Sequence, residues 1–219
     1  MIEASAFSVR CGDGFLVAGF ARDHAILSWS LTRPGFTRAR RVAWLHVRDA
    51  ELSLERDPAD LLEARMAAAG LEDAVHLMTS RDVRHHHVGR ACVGNAVATC
   101  LATVGLGNAV RIGAPPHAHR GAGTINLLVH VDRPLSGAAL VETISIAAQA
   151  RTVAIVDLDW KPRGEVVTGT GTDCIVVATP LGSPTEQFAG LHTDVGVAVG
   201  RAVHAAVAAG GKLWIEEQA

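Results

Sequence analysis

The chain is read as a mixed α/β or α+β protein, a β-sheet core packed with a few helices in one compact domain over residues 1–219. Three observations lead there. Short apolar runs bounded by turn residues recur along the chain. Three longer segments carry helix caps. No internal repeat or linker forces a second domain. The composition agrees, with 49 % hydrophobic and 19 % charged residues, and excludes a disordered or collagen-like chain. Aromatic residues make up 4 %, and tyrosine is absent. The core must therefore come from Ala, Val, Leu and Ile, and base-stacking surfaces are scarce. A formal net charge of −2 argues against a nucleic-acid or anionic-membrane partner. Nearly all the basic residues are Arg, which GC-rich coding explains without an anion-binding role.

In chain order, residues 15–21 and 25–31 are apolar runs split by Arg22-Asp23-His24 and read as a hairpin. Arg33-Pro34-Gly35 breaks the chain, and 41–47 is a further strand. Asp57 and Pro58 form an N-cap and first helical position for a helix over 58–69, closed by Gly70. Residues 74–79 read as a strand and 81–90 as a polar stretch. Residues 92–104 fit one buried strand or a bent pair. The glycine-rich stretch 105–123, with Pro115-Pro116, reads as a long loop of the kind that often carries function. A strand follows over 124–131, then a helix from the cap Ser136 through 149 or 150, and a strand or helix continuation over 153–158. A Gly/Thr loop feeds a strand ending at 178. The last helix spans 193–209, stopped by Gly210-Gly211.

No basic segment followed by an apolar stretch opens the chain, and no apolar run approaches the length of a membrane helix. Cys11, Cys92, Cys100 and Cys174 are scattered without a CxxC pair, as expected of reduced thiols in a cytoplasmic protein. The small residues leave room for close packing between subunits, so a homo-oligomer is among the expectations.

The candidate chemistry begins at Thr168-Gly169-Thr170-Gly171-Thr172-Asp173, which leads into an apolar run. Glycine spacing of this kind exposes successive backbone N–H groups to an anion or oxyanion, and the Thr hydroxyls and Asp173 add polar groups. The segment lacks a P-loop lysine and enters a strand rather than a helix, so neither a P-loop nor a Rossmann loop fits. A tight turn is the equal alternative. Thr193 caps the last helix, and His192 before it is a candidate base. A histidine that merely hydrogen-bonds the cap is the alternative there. Asn108 sits in a glycine-rich stretch, Thr124 and Asn126 share one strand face, and Glu142 lies in an apolar helix. The simpler readings are a turn for Asn108 and a solvated charge for Glu142. His85-His86-His87 reads mainly as a solvated loop. No metal ligand set is expected.

The segments HLMTSRDV (76–83), TVGLGNAVRIG (103–113), GTINLLVHVDRPLS (123–136), ALVETISIAAQARTVAIVDL (139–158), VTGTGTDCIVVA (167–178) and AGLHTDVGVAVGRAV (189–203), in this order, resemble the adenosylcobinamide amidohydrolase (CbiZ) family. Two departures stand out. Gln149-Ala150-Arg151 replaces a Glu-Ala-Lys pattern, and Cys174 stands where a small residue is usual. The resemblance implies hydrolysis of the aminopropanol-side amide of adenosylcobinamide, or of a related cobamide such as pseudocobalamin, to adenosylcobyric acid. The only cobalt implied is the substrate's own; no separate cofactor is expected. Amide hydrolysis needs a nucleophile, oxyanion donors and an acid for the amine. On this reading His192 is the base, acting on water or on the hydroxyl of Thr170 or Thr172. Gly169, Gly171 and their neighbours receive the oxyanion, and Asp173 orients His192 or the nucleophile. Asn108, Thr124, Asn126, Glu142 and Thr193 bind substrate. The rival reading is a corrinoid-binding protein without hydrolysis, with His117 or His119 on cobalt. A metal-dependent hydrolase is a further alternative.

Overall fold

A computed structural model describes residues 6–48, 51–52, 57–115 and 122–218. The elements, in chain order, are β1 (Ser8–Gly12), β2 (Phe15–Ser28), β3 (Gly35–His46), α1 (Pro58–Ala68), β4 (Val75–Thr79), β5 (His86–Val93), β6 (Ala96–Val104), β7 (Ala109–Val110), β8 (Ile125–Val131), α2 (Gly137–Asp157), β9 (Gly169–Thr170), β10 (Cys174–Pro180) and α3 (Asp194–Glu216), with a 3-10 turn at Pro162–Gly164. The expected sheet core with three helices is the architecture observed.

One mixed sheet runs β4-β3-β2-β10-β8-β6-β5, and β1 pairs with the first half of β2. The pairs β3/β4 and β8/β10 are parallel and the others antiparallel. β8 is buried along its whole length, in keeping with a sequence that is apolar except for Asn126 and His130. Its alternate residues serve two cores. Ile125, Leu127, Val129 and Val131 face α2 and α3. Leu128 joins Ile26, Trp44, Leu77, Leu101 and Val176 in a second core. That second core draws on six strands, so the sheet rolls around it. The roll brings β4 against β8, which is not its neighbour in the sheet, and Asn126 Nδ2 donates to the Met78 carbonyl across the gap at 2.7 Å. α1 closes a third core on β3 and β4 with Leu62 and Met66.

Several expected boundaries move. The hairpin read at 15–31 is one bent strand, β2, with a register shift opposite β3 between Gly19 and His24. The polar Arg22-Asp23-His24 step is an irregularity in a strand rather than a turn. Part of the polar stretch 81–90 is strand β5. The bent-pair reading of 92–104 holds in a modified form, as the end of β5, a turn at Gly94 (φ +52°) and the buried strand β6. α2 continues to Asp157 and absorbs 153–158. It spans 21 residues and is long and apolar enough to cross a membrane by length and composition, unlike the expectation. Its inner face packs on α3 and the sheet. α3 does not stop at Gly210-Gly211 but runs to Glu216. A Cβ at 210 would sit 2.8 Å from the Val104 side chain, and one at 211 would sit 2.5 Å from Leu158. These glycines serve close packing inside the helix, which outweighs their weak helix propensity.

The caps follow the sequence. Asp57 accepts from Ala59 N, Ser136 from Ala139 N, and Thr193 from Gly196 N.

Candidate active site

A cleft of about 690 Å³ opens where the rolled sheet brings the ends of β2 and β4 against the starts of β8 and β10. Its apolar wall includes Trp29, Leu31, Val47, Leu62 and Met78, and its polar wall His76, Asn108, Thr124, Asn126, Thr172 and Asp173. A mostly apolar cleft with a few convergent polar groups is the usual form of a small-molecule site.

Asp173 is the hub behind this wall. Its carboxylate accepts from the backbone N–H of Ile125 at 3.1 Å and of Thr170 at 3.2 Å, and also from the Thr170 hydroxyl. The Arg151 guanidinium pairs with it as well. Burial pushes the Asp173 carboxyl above its usual value, while the Arg151 charge and the Thr170 donors pull the other way. Arg151 thus keeps the positive charge of the Lys in the family pattern and reaches Asp173 from α2. Gly169 makes this pairing feasible, because a Cβ there would overlap Arg151 and sit 2.7 Å from the carboxylate. β9 pairs with β7, which ties the loop to Ala109 and Val110.

The threonines and Asn108 form a second network. Thr124 Oγ1 donates to the Thr172 carbonyl at 2.6 Å, and Thr172 Oγ1 lies 2.9 Å from the Gly123 carbonyl. Asn108 Nδ2 reaches Thr172 Oγ1 at 3.4 Å. Asn108 is 8 % exposed, and its Oδ1 has no hydrogen-bond partner among the described residues. A buried acceptor without a donor is costly, and a ligand N–H would remove that cost.

Six of the expected residues thus line one cleft: Asn108, Thr124, Asn126, Gly171, Thr172 and Asp173. Gly169 and Thr170 lie buried beside them. Thr170 directs both its N–H and its hydroxyl to Asp173, so this part of the loop wraps an internal carboxylate instead of offering an oxyanion site.

The remaining three lie elsewhere. His192 and Thr193 precede α3, whose Asp194 abuts Gly94 in the β5–β6 turn. The cleft lies at the other end of β6, where Thr103 pairs with Asn126. Nine residues of strand separate the two ends, roughly 30 Å. His192 is exposed and is not among the partners of Asp173. The expected pairing of these two residues is therefore corrected by the direction of α3. Thr193 is occupied as the helix cap, and its hydroxyl donates to the Gly190 carbonyl. Glu142 accepts from Ala189 N at 2.6 Å and pins the loop before α3, so it is neither a solvated charge nor part of the cleft.

His76 was not singled out from the sequence, although the family-like segment 76–83 begins with it. It is buried in the cleft wall, with Nδ1 2.9 Å from Thr32 Oγ1 and Nε2 2.9 Å from the Leu71 carbonyl. Trp29 was also missed. Its Nε1 donates to the Asp173 carbonyl at 2.8 Å and ties the β2–β3 loop to the start of β10. Cys174 borders the cleft, but burial pushes its thiol up to about 12, so it stays protonated near neutrality.

Two of the three adjacent histidines are separately engaged. His85 Nδ1 lies 2.9 Å from Glu217, and His86 Nδ1 contacts the Val83 carbonyl. Among the described residues no three His, Cys, Asp or Glu side chains gather as metal ligands. His117 and His119 fall outside the described residues.

The sequence profile of the adenosylcobinamide amidohydrolase family (CbiZ) matches residues 3–219. An adenosylcobinamide amidohydrolase from Halobacterium salinarum is 35 % identical over 155 residues. That match covers 66 % of this chain and 63 % of the relative, somewhat under two thirds of the relative's length. Among solved structures, the PH0078 protein from Pyrococcus horikoshii OT3 overlays with a TM-score of 0.43 at 9 % identity, covering 93 % of this chain and 78 % of that one. The profile match over almost the whole chain shows that the protein belongs to the adenosylcobinamide amidohydrolase family.

Proposed function

We propose that the protein hydrolyses the aminopropanol-side amide of adenosylcobinamide, or of a complete cobamide such as pseudocobalamin, and releases adenosylcobyric acid. Family membership and the name of the Halobacterium relative support this reading. The observation that carries it in this chain is Asn108, a buried amide at the cleft whose Oδ1 has no hydrogen-bond partner among the described residues. A corrin ring bears several side-chain amides, and an amide N–H is the donor this oxygen needs. Asn126, Thr124 and Thr172 add an amide and two hydroxyls on the same wall.

A corrinoid is larger than the drug-sized ligands that such clefts enclose. On this reading the cleft receives the amide-bearing arm, and the ring rests on the mouth, where Trp29 and Leu31 are 45 % and 59 % exposed. Cobalt belongs to the substrate, and the protein needs no resident metal. The four cysteines are unpaired, which supports a cytoplasmic setting. The test is incubation with adenosylcobinamide and with pseudocobalamin, followed by analysis for cobyric acid. Its appearance with either substrate, unaffected by chelator, is the expected result. Corrinoid binding with no cobyric acid on prolonged incubation overturns hydrolysis in favour of a binding protein.

A further inference from the structure

The amide reaction needs a nucleophile, and the residues first considered do not supply one. His192 is at the far end of the sheet, Thr170 is bound to Asp173, and Thr172 Oγ1 donates to the Gly123 carbonyl at 2.9 Å; the neighbouring Cys174 is a protonated buried thiol. One hydroxyl next to the cleft does carry a base. Thr32 lies in the β2–β3 loop directly after Ser30 and Leu31, which line the cleft, and His76 lines it from β4. A carbonyl can only accept a hydrogen bond. The Leu71 carbonyl at 2.9 Å therefore places the ring hydrogen of neutral His76 on Nε2. Nδ1 is then a bare lone pair, 2.9 Å from Thr32 Oγ1, and the hydroxyl donates to it. Nucleophile, base and orienting acceptor thus stand in line, the arrangement by which a weak hydroxyl is activated.

The loop holds this geometry from both sides. Trp29 is bonded to the Asp173 carbonyl. Arg33 donates to the Asp73 carbonyl and to the Arg38 carbonyl at 3.0 Å. Thr32 itself is only part-buried, next to the cleft-lining Ser30 and Leu31.

We propose that Thr32 is the nucleophile and His76 the general base of an acyl-enzyme amidase, a proposal that rests on the hydrolytic reading above. Thr32 Oγ adds to the amide carbonyl carbon as its proton passes to His76 Nδ1. The tetrahedral intermediate collapses, the C–N bond breaks, and the amine leaves with that proton. The cobyryl group is now an ester on Thr32. Water gives a proton to His76 Nδ1 and adds to the ester carbon. The C–O bond to Thr32 breaks, and Thr32 Oγ recovers the proton. The sum is amide plus water to acid plus amine.

The test compares the wild-type protein with Thr32→Ala, Thr32→Val and Thr32→Ser on adenosylcobinamide, with hydroxylamine as an alternative acceptor. The wild type is expected to form cobyryl hydroxamate alongside cobyric acid. Thr32→Ala and Thr32→Val are expected to lose about a thousandfold or more in kcat, with KM little changed and no hydroxamate. Thr32→Ser, which keeps a hydroxyl, should retain most of that rate and still form hydroxamate. Thr32→Val preserves the side-chain shape, so it carries the comparison if Thr32→Ala fails to fold. Turnover by either hydroxyl-free variant within tenfold of wild type overturns Thr32 as nucleophile and leaves the hydrolytic reading standing. Failure of the wild type itself to release cobyric acid overturns both.

Discussion

His24 and His130 face each other inside the rolled sheet, with their Nε2 atoms 3.2 Å apart. At that distance one ring donates the single shared hydrogen and the other accepts it. Phe20 stacks on His24 at 4.1 Å, and Phe7 meets His130 edge-on at 6.3 Å. Burial, with the neighbouring His24 adding to it, holds His130 down to about 4, although Asp132 pulls weakly upward. The unfolded chain, with histidine at its ordinary 6.5, takes up that proton first. Stability is therefore intact above pH 6.5, declines as the pH falls, and levels off below about 4. Linkage puts the loss from His130 at about 2 kcal/mol by pH 5 and about 3 kcal/mol by pH 4. His24 is also lowered by burial and acts in the same direction. Urea unfolding from pH 8 down to pH 4.5 measures this. Carboxylates titrate alike in the wild type and in His130→Leu, so the difference between the two curves isolates the histidine. The wild type should lose about 2 kcal/mol more than the variant between pH 8 and pH 5. Parallel curves would refute the claim that this ring is forced to stay neutral.

Two further outcomes follow from the site. Asp173→Ala removes the partner of Arg151, whose side chain is 17 % exposed, and strands the N–H groups of Ile125 and Thr170. A loss of about 3–5 kcal/mol in urea unfolding is expected, and a loss under about 1 kcal/mol would show that Asp173 is not the anchor of the loop. His192→Ala should turn over adenosylcobinamide within about threefold of wild type, because an exposed side chain a strand-length from the cleft contributes little to the barrier; a hundredfold fall in kcat would contradict the placement.

The caps were legible because capping is local. Asp57, Ser136 and Thr193 each accept from a backbone N–H two or three residues on, which a sequence window contains. The reading failed where a distant contact decides. Gly210 and Gly211 look like a stop until Val104 and Leu158 lie against them. Arg22-Asp23-His24 looks like a turn, but His24 is drawn inward by His130, 106 residues away. In the site, Asn108, Thr124, Asn126 and Asp173 could be named because they lie in glycine-rich or alternating segments that match the family pattern. Their mutual contacts could not be read, because they span loops separated by about fifty residues or more.

By itself the sequence determined the class of fold, the three helix starts, the strand at 124–131 and the family. Periodicity, capping and motif order are properties of neighbouring residues. Only the tertiary structure decided which polar groups share a cleft. The roll of the sheet sets Asn126 against Met78 and positions His76 beside Thr32, 44 residues away. The packing of α3 along β5 and β6 carries His192 to the opposite end. Both outcomes follow from how the sheet curls to bury two cores at once, a condition that no local stretch of the chain expresses.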